Sequence, residues 1–276
     1  MPWLQEVVPI DATSTTPQHT QHTQHTRVAG ALSAENPSVR LQAALAAGSS
    51  ADPGFLEPLV ERCATEPDVF VRDMLSWALT RLPPELVLPR IRRELDSEHS
   101  QARGQALHTL SKIGDRSAWP WITRETLRDA DDEVARTAWR VAVALVPEDE
   151  KSDLAAELVT QLGRGDRGVR LSLSRALVDL GHETGTVLAQ AAEHPDPAVA
   201  AHARATAWLR HHPEAGRDEA MRIVMLGPER AAAADTAAAE AAGTPAAGIP
   251  AAGTPAAGIP AAGTPDTGEP GGPVRC

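Results

Sequence analysis

Three histidines stand three residues apart in QHTQHTQHT: His19, His22 and His25. Imidazoles at such spacing are potential ligands for a borderline transition metal. No cysteine or carboxylate stands among them to complete a preorganised site, so the run is read as low-complexity sequence and no metal is assigned. Tryptophans form a second group. Trp119 and Trp121 flank Pro120, and Trp77 and Trp139 lie to either side. Indoles anchor a peptide or cradle a damaged base where they line a groove, and they fill cores elsewhere. A third group is basic: Arg90, Arg92, Arg93 and Arg103 lie close together. Glu94, Asp96 and Glu98 follow at once and offer local charge pairing. No Ser-His-Asp spacing, paired CxxC, HExxH or phosphate-cradling glycine loop occurs, so no catalytic residue and no cofactor is assigned.

These groups sit in a chain of 276 residues in which aromatics are only 3%, with no Tyr and two Phe. A large aromatic-rich β core is not expected, and the Ala and Leu of the middle favour helices. The net charge is -11. Four acids and one arginine from Ala231 onward give -3, and Glu6 and Asp11 give -2, which leaves -6 for the middle. That balance argues against broad affinity for nucleic acid. Cys63, in LEPLVERCA, reads as a buried thiol, and Cys276 is the last residue. No disulfide framework follows, and a reducing compartment is expected. The start MPWLQEVVPIDATS lacks a basic segment followed by an apolar one, and no apolar run reaches 18 residues. Neither a signal peptide nor a membrane span is expected, and the expected location is cytoplasmic.

The elements that must position the candidate residues are read from composition and period. Residues 1–26 are expected to be a disordered polar segment. Residues 231–276 are expected to be a low-complexity spacer: five copies of AAGTP or AAGIP run from Ala241 to Pro265, and Pro and Gly at every fifth position prevent a continuous helix. The stretch 27–230 is periodic. A short polar residue recurs as Asn36, Asp68, His99, Asp132, Asp166 and Asp196, at spacings of 30 to 34 residues. Three places later comes Val or Ala. Then comes Arg40, Arg72, Arg103, Arg136 or Arg170, and in the last unit Ala200. Asn and Asp are good N-caps, and Pro37 and Pro197 follow at the first helical position, where a missing N–H costs nothing. The apolar stripe behind the arginine, Val71, Leu75, Ala78 and Leu82 in one unit, has helical spacing. Shorter helical segments lie between, with Pro58, Pro89 and Pro120 in the first three. About six helical pairs, with a lone helix closing the C-terminal end, form a stacked solenoid.

With its D-x-x-V-R pattern and this period, the chain resembles the HEAT repeat family over about Arg27 to Gly227, most of all the short bacterial units also found in phycobilisome lyases. The resemblance implies an all-α, right-handed superhelix whose second helices line the concave face. It implies that Arg40, Arg72, Arg103, Arg136 and Arg170 form an internal ladder, and that Asp68, Asp132 and Asp166 cap helices and accept from neighbouring arginines. Arginine suits that task, because its planar fork satisfies several acceptors while its stem packs on apolar neighbours.

Second-helix positions off the apolar stripe include Trp77, Arg81, His108, Lys112, Arg140, Arg175 and Asp179; Arg204 joins them. This mainly basic set on an acidic chain suits an acidic peptide or a phosphate-bearing partner. The leading expectation is a non-catalytic binding or scaffold protein whose partner is another protein or peptide, with no nucleic acid or membrane. Two alternatives stay open: a DNA-binding HEAT-like alkylation-repair glycosylase, and a lyase-like enzyme or accessory factor.

Overall fold

The computed structural model describes residues 17–215, 217–227, 230 and 233, and all regular structure among them is helical. The AAGTP and AAGIP copies lie outside the described residues, as does the stretch before Pro17. The helices are α1 (Pro17–Leu32), α2 (Pro37–Ser50), α3 (Leu56–Thr65), α4 (Val69–Thr80), α5 (Pro84–Glu94), α6 (Ser100–Ile113), α7 (Arg124–Leu127), α8 (Asp132–Leu145), α9 (Lys151–Val159), α10 (Arg167–Asp179), α11 (Thr184–Ala192), α12 (Pro197–His211) and α13 (Arg217–Leu226). From α1 to α12 each odd helix packs on the even helix after it, and each even helix packs on the next even one. The result is a stack of helix pairs in one compact unit. Among the described residues no helix is long and apolar enough to cross a membrane.

Capping starts the even, or second, helices. Asn36, Asp68, Asp166 and Asp196 each accept from a first-turn backbone N–H, a contact worth about 1 kcal/mol. His99 takes the cap position of α6 without a side-chain bond. The cap of α8 is Asp131, not Asp132: its carboxylate accepts from the amides of Glu133 and Val134. Two adjacent acids make the register ambiguous in sequence, and the first one has the extended backbone that a cap needs. Asp132 instead receives Nε of Arg164 at 2.8 Å.

The first helices are less regular. α1 begins at Pro17, so the stretch up to Thr26 is helical within a segment expected to be disordered. It holds no glycine, and its proline is at the first position, where it is tolerated. His25 ties α1 to the following turn through Nε2 to Asp52 Oδ2 at 2.8 Å, with its ring edge-on to Phe55. α5 continues through Pro89. The third of the shorter segments, the one with Pro120, is a 3-10 segment, Arg116–Trp121, followed by the single turn of α7. Pro120 removes the donor that an α-helix would need there.

The stripe Val71, Leu75, Ala78, Leu79 and Leu82 is buried, as is Val169, Leu173, Ala176, Leu177 and Leu180. Trp139 is fully enclosed, and its indole N–H donates to the carbonyl of Leu127 at 2.8 Å. Cys63 lies in the same core, where burial pushes its thiol up to about 12.

The arginine column acts on turns first. Nη1 of Arg40 donates to the carbonyls of Ala34 and Glu35, that of Arg72 to Glu66 and Pro67, and that of Arg103 to Ser97 and Glu98. Two of these arginines also reach the next unit. Arg40 holds both oxygens of Glu66 at 2.7 and 2.8 Å, and Arg103 holds both oxygens of Asp129 at 2.7 and 2.9 Å. The acceptors are therefore the residues two places before the caps, not the caps themselves. Glu66 also accepts from Arg62 and from the amide of Asp68. Burial pushes its carboxyl up, and these donors overcome that and hold it down at about 2. Because the α8 cap is Asp131, Arg136 stands one place past the column, turned by about 100°. It bonds Ser172 and Glu133 instead of the turn. Arg170 carries a buried Nε with no partner.

Candidate binding face on the second helices

Counting nine residues from each cap gives one position per second helix: Leu45, Trp77, His108, Arg140, Arg175 and Ala205. Nine residues is two and a half helical turns, so all six project from the side opposite the cap-side arginines. Four of the residues singled out in the sequence share this column, and the structure gives them different surroundings. Trp77 is half-buried on the core; its ring fills the notch over Gly48, where an added Cβ would meet Cζ3 at 2.4 Å. His108 Nε2 lies 3.2 Å from Asp73 Oδ1, and Lys112 Nζ lies 2.9 Å from the same oxygen. Lys112 is the main reason the Asp73 carboxyl sits below its usual range; partial burial opposes it, and His108 adds to it. Arg140 is exposed and donates to Thr137 Oγ1 at 3.2 Å. Arg175 is exposed too, as is Asp179 one turn later; partial desolvation by its neighbours raises the Asp179 carboxyl, and the charge of Arg175 opposes that.

Arg81 is exposed at the C-cap of α4, one turn past Trp77, the place that Lys112 takes on α6. Arg204 turns to the other side, where Nη1 donates to the carbonyl of Ala192 at the end of α11. It is a helix-end contact and does not join the face.

Between α4, α6 and α8 the face forms an open groove of about 440 Å³, lined by Asp73, Gln105, His108, Thr137 and Arg140 among others. Val69 belongs to its rim, 60% exposed, and the neighbouring Phe70 is 74% exposed. Sequence reasoning passed over Phe70, because an apolar residue in the first turn reads as part of the buried stripe. The signal that distinguishes it is positional: the corresponding residues of the other second helices are Ser38, Gln101, Glu133, Gly168 and Ala198.

One serine–histidine pair has the spacing of a nucleophile and its base: Ser174 Oγ lies 3.0 Å from His202 Nε2. The roles are otherwise assigned. His202 Nδ1 accepts from the amide of Gly163 at 3.0 Å, so Nε2 carries the proton and faces the carbonyl of Arg170. A general base needs a free lone pair towards the nucleophile, and both side chains are buried. The pair is a structural pin. The other tryptophans are committed as well: Trp119 donates to Glu150 Oε2 at 2.8 Å, and Trp121 lies under the guanidinium of Arg92. Among the described residues no three His, Cys, Asp or Glu side chains are grouped to hold a metal.

No family model matches the chain, and no curated protein matches it. Solved structures do. The crystal structure of one engineered protein is 19% identical, over 65% of this chain and 93% of that one, with a TM-score of 0.37. A second engineered protein is also 19% identical, over 70% of this chain and 99% of that one, with a TM-score of 0.38.

Proposed function

We propose that the chain is a right-handed HEAT-like α-solenoid of about six helical pairs that binds a segment of another protein along the concave face of its second helices, with no chemical step of its own. The observation that carries this reading is the column nine residues past each cap. It sets an indole, an imidazole and two guanidinium groups in file along one face, beside an exposed phenyl ring. Exposed arginine and aromatic side chains at the rim of a groove are the residue types that dominate binding energy at protein interfaces. The chain is acidic overall, so a basic strip on it is a local feature suited to carboxylates rather than a general polyanion surface. The repeat arginines serve the fold in this reading. A reducing, cytoplasmic setting suits the buried thiol of Cys63.

The test is selection of displayed random peptides of about 20 residues, long enough as helices to span three neighbouring second helices. Selected peptides are expected to bind the intact chain and to lose affinity about tenfold or more on the triple variant Phe70→Ser, Arg140→Glu, Arg175→Glu. Far-ultraviolet circular dichroism should report unchanged helicity for that variant. Peptides that bind both forms equally would sink the reading. So would binding of duplex DNA at low salt by a chain that selects no peptide.

A further inference from the structure

The face is filled at one end by the chain itself. α13 packs on α10 and α12, and its Ala220, Ile223 and Val224 form a cluster with Leu171, Ala205 and Leu209 that is separate from the main core. Leu171 stands five residues past its cap, the place that Asp73 and Gly104 take in the open groove. Ala205 stands nine past its cap, in the column of His108 and Arg140. α13 therefore lies on the same strip of surface that is open over α4, α6 and α8, and it lies there as a helix.

The open part is graded along its length. On α2 and α4 its exposed apolar groups are Leu45, Val69 and Phe70, with the polar Gln42 on α2 and Arg81 at the end of α4. On α8 and α10 its exposed cations are Arg140 and Arg175; the exposed acids there are Glu133, paired with Arg136, and Asp179, one turn past Arg175. Between them, Asp73 is already shared by His108 and Lys112. Resting on the binding reading above, we infer that the partner segment is an amphipathic helix laid across the second helices, with apolar side chains at the end over α4 and carboxylates at the end over α8 and α10. α13 bounds it at the C-terminal side. Neighbouring helices pack about 8–10 Å apart, so the path from α4 to α10 is roughly 30 Å, the length of about 20 helical residues. Charge complementarity sets which way round the helix lies, and Phe70 supplies an anchor that a uniformly charged segment would not cover.

A display library tests this on the full chain: helix-forming peptides of about 20 residues in which one face is randomised among Leu, Gln, Glu and Lys. Enriched sequences are expected to carry Leu in one half and Glu in the other. Against Arg140→Glu, Arg175→Glu the Glu half should change to Lys while the Leu half persists. Against Phe70→Ser the preference for Leu should fade and that for Glu should stay. Enriched peptides without segregation, or a Glu preference indifferent to the charge reversal, overturn the inference while leaving the face as a binding site. A library that yields no binder to the face defeats both.

Discussion

Gln105 and His202 each stand six residues past the cap of their helix, and each reaches back to the preceding unit in the same way. Gln105 Nε2 donates to the carbonyl of Arg72 and to Ser76 Oγ, both at 3.4 Å. His202 Nε2 lies 3.0 Å from the carbonyl of Arg170 and from Ser174 Oγ. The imidazole adds a further bond, accepting from Gly163, and it adds a titration. Burial pushes His202 down to about 4, against an ordinary value near 6.5. The unfolded chain therefore takes up this proton first as the pH falls. The contribution of His202 is whole above about pH 6.5 and is lost progressively towards pH 4, by about 3 kcal/mol at most. His202→Gln places the residue of the equivalent position there. It should cost about 1 kcal/mol at pH 7, through the unsatisfied Gly163 amide, and should flatten the pH dependence of the urea midpoint between pH 6.5 and 4. A variant with the slope of the parent would refute this. Glu66 acts in a lower window. Its carboxyl, held at about 2 from an ordinary 4.5, stabilises above pH 4.5 and loses that contribution as the pH falls towards 2. The residues of the candidate face were partly legible. Trp77, His108 and Arg175 stand nine residues past the caps read in the sequence, and a fixed spacing from a cap fixes a direction. Arg140 and Arg204 both stand eight past theirs; the shift of the α8 cap to Asp131 brings Arg140 into the column and leaves Arg204 out of it, and Phe70 was hidden by its apolar type.

Between neighbouring second helices the polar contacts alternate. The α2–α4 and α6–α8 seams each carry an arginine on a carboxylate of the next unit, Arg40 on Glu66 and Arg103 on Asp129. At the α4–α6 and α10–α12 seams the place two before the cap holds Ser97 or His194, each accepting from the cap residue's own amide. Those two seams instead carry a buried hydroxyl pair, Ser76 with Thr109 and Ser174 with Thr206. The two kinds alternate as far as α8; the α8–α10 seam has neither and carries Arg136 on Ser172 Oγ. Glu66→Ala leaves the guanidinium of Arg40 buried without its partner and should cost about 3–5 kcal/mol. Arg72→Gln, which removes only bonds to turn carbonyls, should cost about 1 kcal/mol. Denaturant titrations of the two variants at pH 7 measure the difference, and similar losses would show the alternation to be energetically empty. The converse change is Ser97→Asp. It sets a carboxylate where Asp129 stands in the next unit, within the reach that Arg72 shares with Arg103. The urea midpoint should rise, by about 1 kcal/mol of stability. The arginine column was legible because one residue type recurs at one spacing. Its acceptors were not, because Glu66, Ser97, Asp129 and His194 do the same local job with four different side chains. The twin acids Asp131 and Asp132 hid the one-residue shift that takes Arg136 out of the column.

A stack of helix pairs has two ends, and each must hide an apolar side that an inner unit would pass to its neighbour. At the N-terminal end α1 covers α2 and α3 and buries Val28 and Leu32. At the C-terminal end α13 does more than close the stack. It covers Leu171, Ala205 and Leu209, which face the groove side of α10 and α12 rather than the core. Under the open groove the matching positions hold Asp73, His108 and Arg140, so this end is built for α13 and the open stretch is not. Two truncations separate closure from mere chain length. Ending the chain after Arg230 keeps α13 and should leave the thermal midpoint unchanged. Ending it after His212 removes α13 and uncovers two leucines and the side of Trp208. Full burial of one leucine contributes about 1.5–3 kcal/mol, so the loss should be several kcal/mol and the midpoint should fall by several degrees. The uncovered strip then continues the proposed binding face. The shorter chain should therefore self-associate in size-exclusion chromatography, and adding a peptide of the α13 sequence should restore the monomer-sized species and raise the midpoint. A short chain that keeps its midpoint and elution volume would mean that α13 lies on the face without closing it.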